Sequence, residues 1–364
     1  MPANIDLFDS YYLTGVVQEI VPQTTFFRDR YFPTNPETDI FAADKVLVEY
    51  REGDRRLAPF VQRRQGDHYI AGDIPIGRDG YEVHEYEPPH ILPSRLLTLD
   101  DLKRRGFGEA LYVGSNATER AAALQLRDLR DLDLRITRRE EWMAAQTMIN
   151  NAFTAVALID DATHGEIFDI YYYNVNETNP AICTVPEKWD DILGNYLADI
   201  QSMCEMLESR GMVPEDLVLG STVGKFLMAD EKLHKLLDNK RLNIGKIDPE
   251  ITSPGTVWLG FININGYKLN IFVSHETYIG DDGVERNYFP AKSAMVTFPG
   301  CGHMMYAQIT QIEPDNQYHS FAMPRVSKFV AEGKKDIRKI RLASRPLAAP
   351  KQKAPWVYAA NVLL

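Results

Sequence analysis

The hydrophobic and polar positions of this chain form their clearest pattern over residues 116–153, a stretch without Gly or Pro. Asn116 and Glu119 resemble a capping box at its start. Apolar residues recur at intervals of three, four or seven, the spacing of one helix face. They are Ala122, Leu126, Leu129, Leu132, Ile136 and Met143. The pattern predicts a helix that rises roughly 55 Å at about 1.5 Å per residue.

Charges of both signs occupy the rest of this predicted helix. They are Arg127, Asp128, Arg130, Asp131, Arg135, Arg138, Arg139 and Glu140. Because side chains four residues apart on a helix can pair, we expect most of them to lie in solvent and pair along the helix. A helix so much longer than the average of about 11 residues is unusual in a two-domain enzyme.

Two short segments, residues 46–50 and 81–86, alternate between apolar and polar positions. This alternation predicts the two strands of a long hairpin. A two-stranded ribbon is marginally stable by itself, and the segment that contains it offers little sequence from which to build its own core. The sequence therefore predicts an arm and a ribbon that pack on a neighbouring subunit.

A second compact unit is predicted farther along the chain. It has a helix over 188–211, a buried strand over 216–220, a helix from Gly224, and a hairpin that turns at Asn265 and Gly266. The apolar face of its first helix comprises Ile192, Tyr196, Met203 and Leu207. This order of elements indicates an α+β unit.

Composition narrows the class of protein. A chain of 364 residues fits about two domains of roughly 150 residues each, and 45% hydrophobic with 25% charged residues is typical of a soluble globular protein. The net charge of −11 argues against a protein whose main role is to bind nucleic acid. The first residues include Asp6 and Asp9 rather than a basic signal region, and no apolar run approaches the roughly 18 residues of a membrane span. We expect an intracellular soluble protein, or one released without secretion.

Cysteine usage indicates neither a disulfide framework nor a zinc site, because Cys183, Cys204 and Cys301 form no C-x-x-C pair. Cys301 and His303 would place two ligands on one strand face, but no second pair stands at a spacing that closes a metal site. We expect a buried Cys and a polar-edge His, with no metal and no cofactor.

The segment from Gly220 to Lys225 follows a predicted strand and opens a predicted helix, where a phosphate-binding loop would lie. A P-loop needs four residues between its glycines and a Ser or Thr after the Lys. Here three residues separate the glycines, and Phe226 follows the Lys. Thr222 stands where a nucleophile elbow requires Ser. The segment favours an ordinary helix start, and a nucleotide-binding enzyme is the alternative.

Two further segments also suggest chemistry. The segment Asp281, Asp282 and Gly283 lacks the alternating ligands of a calcium-binding loop. An Asp-Gly pair is typical of a tight turn, so we predict a hairpin tip. The basic cluster from Lys334 to Arg345 leaves a nucleic-acid-binding protein as another alternative. Interleaved apolar residues favour a half-buried strand with its basic residues in solvent.

The order of these parts across the chain resembles the lambda-type major head proteins of tailed bacteriophages (capsid protein E), whose shell fold is of the Hong Kong 97 type. The stretches that carry the resemblance are YIGDDGVERNYFP with AMVTF, LAPFV, KWDD, DLVLGSTVGKFLMADEKLHKLLDN and SRPLAAPKQKAPWVYAANVL. The resemblance implies an α+β fold in five parts. They are an N-terminal arm (1–44), an extended β-hairpin loop (45–92), a peripheral domain with the spine helix 116–153 (93–185), an axial domain (186–305) and a return to the peripheral domain (306–364).

The resemblance also implies function. Such a protein does no catalysis and self-assembles into hexamers and pentamers of an icosahedral shell, which encloses DNA without sequence-specific binding. Its expected partners are a portal protein, a scaffold and a decoration protein, with no membrane. It would be located in the virion after assembly in the bacterial cytoplasm. The subunit-interface candidates are Arg55, Arg56 and Phe60 at the ribbon base, and Arg127, Asp131 and Arg138 along the spine helix.

Overall fold

The computed structural model describes residues 25–51, 81–98, 117–160, 164–230, 233, 245–313, 316–332 and 337–364. The helices in these ranges are α1 (Phe27–Tyr31), α2 (Ala117–Asn150), α3 (Tyr196–Ser209) and α4 (Ser221–Ala229). The strands are β1 (Val46–Arg51), β2 (Tyr81–Tyr86), β3 (Ser94–Leu97), β4 (Ala152–Asp160), β5 (His164–Tyr171), β6 (Ile182–Cys183), β7 (Asp216–Gly220), β8 (Gly245–Ser253), β9 (Thr256–Ile264), β10 (Tyr267–Ser274), β11 (Thr277–Ile279), β12 (Glu285–Asn287), β13 (Ala294–Thr297), β14 (Gly302–Tyr306), β15 (Ile309–Ile312), β16 (Tyr318–Phe321), β17 (Val326–Glu332), β18 (Ile337–Ala343), β19 (Pro346–Pro350) and β20 (Val357–Ala359).

The predicted spine helix is α2, and it ends at Asn150 rather than at Phe153. Asn151 has a φ of 50°, a left-handed conformation that Asn tolerates better than most residues. Strand β4 then begins at Ala152. The predicted end was therefore wrong, and the predicted cap at Asn116 lies outside the described residues.

The predicted apolar face of α2 is confirmed over most of its described length. Its buried members are Leu129, Leu132, Ile136 and Met143. Leu126 is 52% exposed, so the prediction is wrong there. The apolar cluster that covers this part of the helix with β18 begins only at Leu129.

A seven-stranded mixed sheet, in the order β6-β20-β13-β7-β10-β9-β8, forms the second unit. The predicted buried strand is β7, at its centre, parallel to β10 and antiparallel to β13. The predicted hairpin is confirmed as β9–β10, and its turn residues Asn265 and Gly266 have φ values of 50° and 100°. Helices α3 and α4 pack their apolar side chains against this sheet.

The predicted helix over 188–211 is shorter than expected, because α3 begins only at Tyr196. Asn195 caps it, since its side-chain oxygen accepts a hydrogen bond from the Ala198 N–H at 3.3 Å. Ile192 therefore lies in the preceding loop. It is 94% exposed, so its placement on the buried helix face was wrong.

Six smaller sheets also occur within the described ranges. Strands β1 and β2 pair antiparallel, which confirms the predicted hairpin strands, while the residues between them lie outside the described ranges. The remaining pairings are β11 with β12, β14 with β19, β15 with β16, β4 with β5, and β18 with both β17 and β3. An apolar core joins the C-terminal half of α2 to α1, β14 and β19.

Candidate assembly and binding sites

Glu141 on α2 fixes the N-terminal part of the described chain. Its Oε1 accepts hydrogen bonds from the N–H groups of Phe26 (3.1 Å) and Phe27 (2.7 Å), and its Oε2 accepts one from Arg28 (2.7 Å). Amides at the start of a helix lack partners within the helix. A side chain from α2 therefore caps α1. We name residues 25–32 the anchor segment.

Glu140, the preceding residue, is the centre of a buried ion cluster. Arg325 donates to both carboxylate oxygens, at 2.6 and 2.9 Å, and to Asp133 at 2.8 Å. The Arg28 Nε lies 3.3 Å from Glu140, and the Tyr306 hydroxyl donates to it at 3.2 Å. Buried charges are stable only when they are paired in this way. The cluster joins α2, β14, the segment before β17 and the anchor segment.

The two adjacent glutamates have pKa values shifted in opposite directions. Burial raises the pKa of Glu141 to about 7, although backbone amides that donate to it oppose the shift. Burial would also raise the pKa of Glu140, but the charge and hydrogen bonds of Arg325 hold it below its ordinary value. Burial raises the pKa of Glu276 to about 6, and the charge of Glu276 adds to the shift of Glu141.

Arg30 connects the anchor segment to the seven-stranded sheet. Its guanidinium donates to both carboxylate oxygens of Asp216, which begins β7 and is fully buried. The Tyr31 hydroxyl donates to the same carboxylate at 3.1 Å. The guanidinium also lies 4.5 Å from the centre of the Phe272 ring, within cation–π range. The anchor segment therefore binds both α2 and the sheet.

Sequence reasoning missed these buried charges, although two of them left a signal. Glu140 follows Ile136 by four residues and precedes Met143 by three, so it lies within the apolar face of the predicted helix. Asp216 opens an otherwise apolar strand. Their arginine partners are far away in sequence, and no local pattern identifies them.

The expectation that most α2 charges lie in solvent is wrong for several acids. Asp128, Asp133 and Glu140 are buried. They pair with arginines from other elements, because an unpaired buried carboxylate is costly. The expected solvent exposure is confirmed for four arginines of the helix, while their pairing along the helix stays a prediction. These arginines are Arg127, Arg130, Arg135 and Arg138.

The predicted interface residues on α2 occupy different surroundings. Arg127 and Arg138 are exposed. Asp131 is half-buried and accepts a hydrogen bond at 3.0 Å from Arg95 of β3, within the same subunit. The ribbon candidates lie outside the described residues. They are Arg55, Arg56 and Phe60. Subunit contacts at all six positions stay a prediction.

The P-loop-like segment is confirmed as a helix start, although α4 begins at Ser221 and not at the predicted Gly224. The N–H groups of Thr222 and Val223 donate to the carbonyl of Ala291, at 3.0 and 3.3 Å. A Cβ on Gly220 would lie 2.2 Å from the Pro290 carbonyl oxygen, so this Gly serves a close backbone contact. The amides that would hold a phosphate in a P-loop bind the protein's own backbone here.

The Cys301–His303 pair has structural roles. Cys301 is fully buried, and burial raises the pKa of its thiol to about 12. The His303 Nδ1 lies 3.1 Å from the carboxylate of Asp39. No group of three or more His, Cys, Asp or Glu that could hold a metal occurs within the described ranges.

The acidic turn and the basic cluster also match their predictions. Asp282 accepts a hydrogen bond from the Val284 N–H at 3.1 Å, and Gly283 has a φ of 76°, as expected at a hairpin tip. In the basic cluster, Ile340 and Leu342 of β18 are buried against α2. Arg338 and Lys339 of the same strand are exposed.

None of the helices in the described ranges is long and apolar enough to cross a membrane. The fold is that of Hong Kong 97-type phage capsid proteins. The protein is similar to the crystal structure of a protein described as a prophage capsid protein from Escherichia coli CFT073. The two structures superpose with a TM-score of 0.65 at 14% sequence identity, over 97% of this chain and 98% of the other. A phage-related protein from Bordetella bronchiseptica RB50 has a TM-score of 0.53 at 10% identity, over 98% of each chain.

The chain matches the family model of phage major capsid protein E over residues 9–361, and it belongs to that family. A comparison with curated proteins gave no match. The resemblance drawn from the sequence is confirmed. The protein is a capsid shell protein.

Proposed function

We propose that this chain is the major head protein of a tailed bacteriophage, whose copies form hexamers and pentamers of an icosahedral shell around DNA. The observation that carries the proposal is the family match over residues 9–361. Rings form from one sequence when two different patches of each copy meet head to tail and the rotation closes.

We assign the axial role to the seven-stranded sheet with α3 and α4, and the peripheral role to α2 with its surrounding sheets. The predicted axial range, 186–305, holds five of the seven strands. The edge strand β6 and its neighbour β20 come from the flanking ranges. We therefore extend the axial unit to include β6 and residues 357–364. The anchor segment is the connection between the two units.

The shell role requires no catalysis, and we propose none. The helix-start amides near Gly220 are occupied by backbone, which disfavours the nucleotide-binding alternative. A titration of the purified protein with ATP tests this point. We expect no saturable binding in the wild type or in Lys225→Ala, and saturable binding that Lys225→Ala removes would support the enzyme.

The net charge of −11 is compatible with a shell that encloses DNA without binding it tightly. We expect a portal protein and a scaffold as partners, and a decoration protein on the outer surface. Assembly would occur in the bacterial cytoplasm, and the mature location is the virion. A salt-dependent DNA mobility shift that is lost in an Arg338→Ala, Lys339→Ala variant would instead support the nucleic-acid-binding alternative.

Sedimentation velocity of the purified chain, with and without a scaffold protein, tests the proposal. A shell protein sediments as particles of megadalton mass. A chain of 41.4 kDa that stays monomeric or dimeric under both conditions would contradict it.

A further inference from the structure

Two large apolar side chains, Ile192 and Leu193, project from the loop that precedes α3. They are 94% and 77% exposed. Singly scattered apolar residues are common on soluble proteins, whereas contiguous exposed apolar surface is typical of interaction sites. We name these two residues the apolar tip.

The loop that carries the apolar tip is held firmly at both ends. The Trp189 N–H donates to the Val362 carbonyl at 2.8 Å, and its indole N–H donates to Asp199 at 2.9 Å. At the other end, the Gly194 N–H donates to the Asp191 carbonyl at 3.1 Å. A rigid loop loses little conformational freedom when its tip is buried in a partner.

An open groove of about 330 Å³ lies between α4 and strands β9 and β10. Its apolar lining includes Gly224, Met228, Val257, Leu259 and Val273. The polar groups that line it are Lys225 and His275, both exposed.

The apolar tip and the groove lie at the same end of the seven-stranded sheet but toward opposite sides. One backbone bond and side-chain bonds of Lys188 and Asp190 connect the tip's loop to residues 361–364, which follow β20. The Val362 N–H in turn donates to the Lys292 carbonyl. The groove lies on β10 and β9. From β20 to β9 is four strand steps, or about 19 Å at about 4.8 Å each. One subunit therefore presents its tip to one side and its groove to the other.

Charge complements shape at these two surfaces. The apolar tip follows Asp190 and Asp191, both exposed. The groove carries the ammonium of Lys225, which is exposed. Opposite charges around an apolar contact favour one partner and one orientation.

We propose that the apolar tip of one subunit inserts into the groove of the next copy around a ring of axial units. This inference rests on the proposed shell function and names the contact. A head-to-tail contact between two different patches forms a ring when the rotation between copies closes and an open filament when it does not, whereas a single self-complementary patch stops at dimers.

Cysteine cross-linking tests both the contact and its direction. Particles assembled from a Leu193→Cys, Met228→Cys variant are oxidised and run on a non-reducing denaturing gel. We expect a ladder from dimer to hexamer, since each copy links to two neighbours. Leu193→Cys alone, Met228→Cys alone, and Leu193→Cys with Ile279→Cys are controls, and we expect no ladder from them. Intact particles without a ladder, or with only dimers, would overturn the proposal.

A second variant covers the case in which the double-cysteine protein fails to assemble. Ile192→Asp changes a side chain that is almost fully exposed, so we expect an unchanged melting temperature and at least a tenfold lower yield of particles. A wild-type yield from this variant would overturn the proposed contact while leaving the shell function intact. Failure of the wild-type chain to form particles would instead count against the shell function. A small molecule bound in the groove of assembled particles would show that the tip does not occupy it.

Discussion

Arg30 donates to both carboxylate oxygens of Asp216, from Nε at 2.6 Å and from Nη2 at 2.8 Å, although the two residues lie 186 positions apart. Bidentate pairs of this kind fix both distance and orientation. Because Glu141 holds the backbone of the same anchor segment on α2, the segment links α2 to the central strand of the sheet.

Removal of Arg30 should therefore destabilise the subunit. Arg30→Ala leaves the buried Asp216 carboxylate without its charged partner, and we expect a loss of about 3 kcal/mol in the free energy of unfolding. Urea unfolding of the unassembled protein measures it. Lys246→Ala removes the exposed pair with Asp248 and should change stability by less than about 1 kcal/mol. Equal effects of the two substitutions would contradict this account.

The raised pKa of Glu141 gives stability a specific pH dependence. Its ordinary value is 4.5 and its folded value is about 7, so the folded state binds more protons between these limits. The contribution of Glu141 to the free energy of unfolding should fall as pH rises from 4.5 to 7, by at most about 1.4 kcal/mol per pH unit. Glu141→Gln should remove the Glu141 part of this slope and leave the smaller part due to Glu276, whose pKa is raised to about 6. Urea unfolding at several pH values would show the difference.

Glu140 provides the matched contrast, because its pKa is lowered rather than raised. Its stabilising contribution is complete above its ordinary value of 4.5 and is lost as pH falls through its folded value. Glu140→Gln should alter the acid side of the curve and leave the slope between pH 4.5 and 7. If both variants had the same pH profile, the opposite shifts would be refuted.

The backbone contact at Gly220 should tolerate no side chain. Gly220→Ala would place a Cβ 2.2 Å from the Pro290 carbonyl oxygen and 2.4 Å from that of Ala291, so the backbone itself would have to shift. We expect a loss of about 2 kcal/mol, typical of overpacking. Ser221→Ala, at the next residue, should cost less than about 0.5 kcal/mol because its side chain is only half-buried. Thermal unfolding followed by circular dichroism compares the two variants.

The exposed arginines of α2 are the accessible part of the predicted subunit interface. Arg127→Glu and Arg138→Glu should lower the yield of closed particles several-fold while leaving the melting temperature within a few degrees of the wild type. Arg135→Glu changes another exposed arginine of α2 and is the control variant, to which the particle yields are compared. Normal particle yields from both variants would remove these residues from the interface.

Local patterns in the sequence predicted the elements of this fold better than their contacts. The apolar spacing from Leu129 to Met143 predicted a long helix, and the Asn265-Gly266 turn predicted the β9–β10 hairpin. Periodicity failed at Ile192, because the capping side chain of Asn195 starts the helix after it.

The candidate site was less predictable than the fold. The arginine that neutralises Glu140 comes from position 325, and the amides that Glu141 binds come from positions 26–28. Such pairings depend on the tertiary fold. No regular spacing of residues in a single sequence predicts them. The exposed arginines of α2 were identified, but the buried acids beside them were not.

Electron microscopy of the purified chain, with and without a scaffold protein, tests the central claim most directly. The account predicts closed shells or rings whose class averages show fivefold and sixfold symmetry. Dispersed monomers or dimers in both preparations, at concentrations where the folded state is intact, would contradict it.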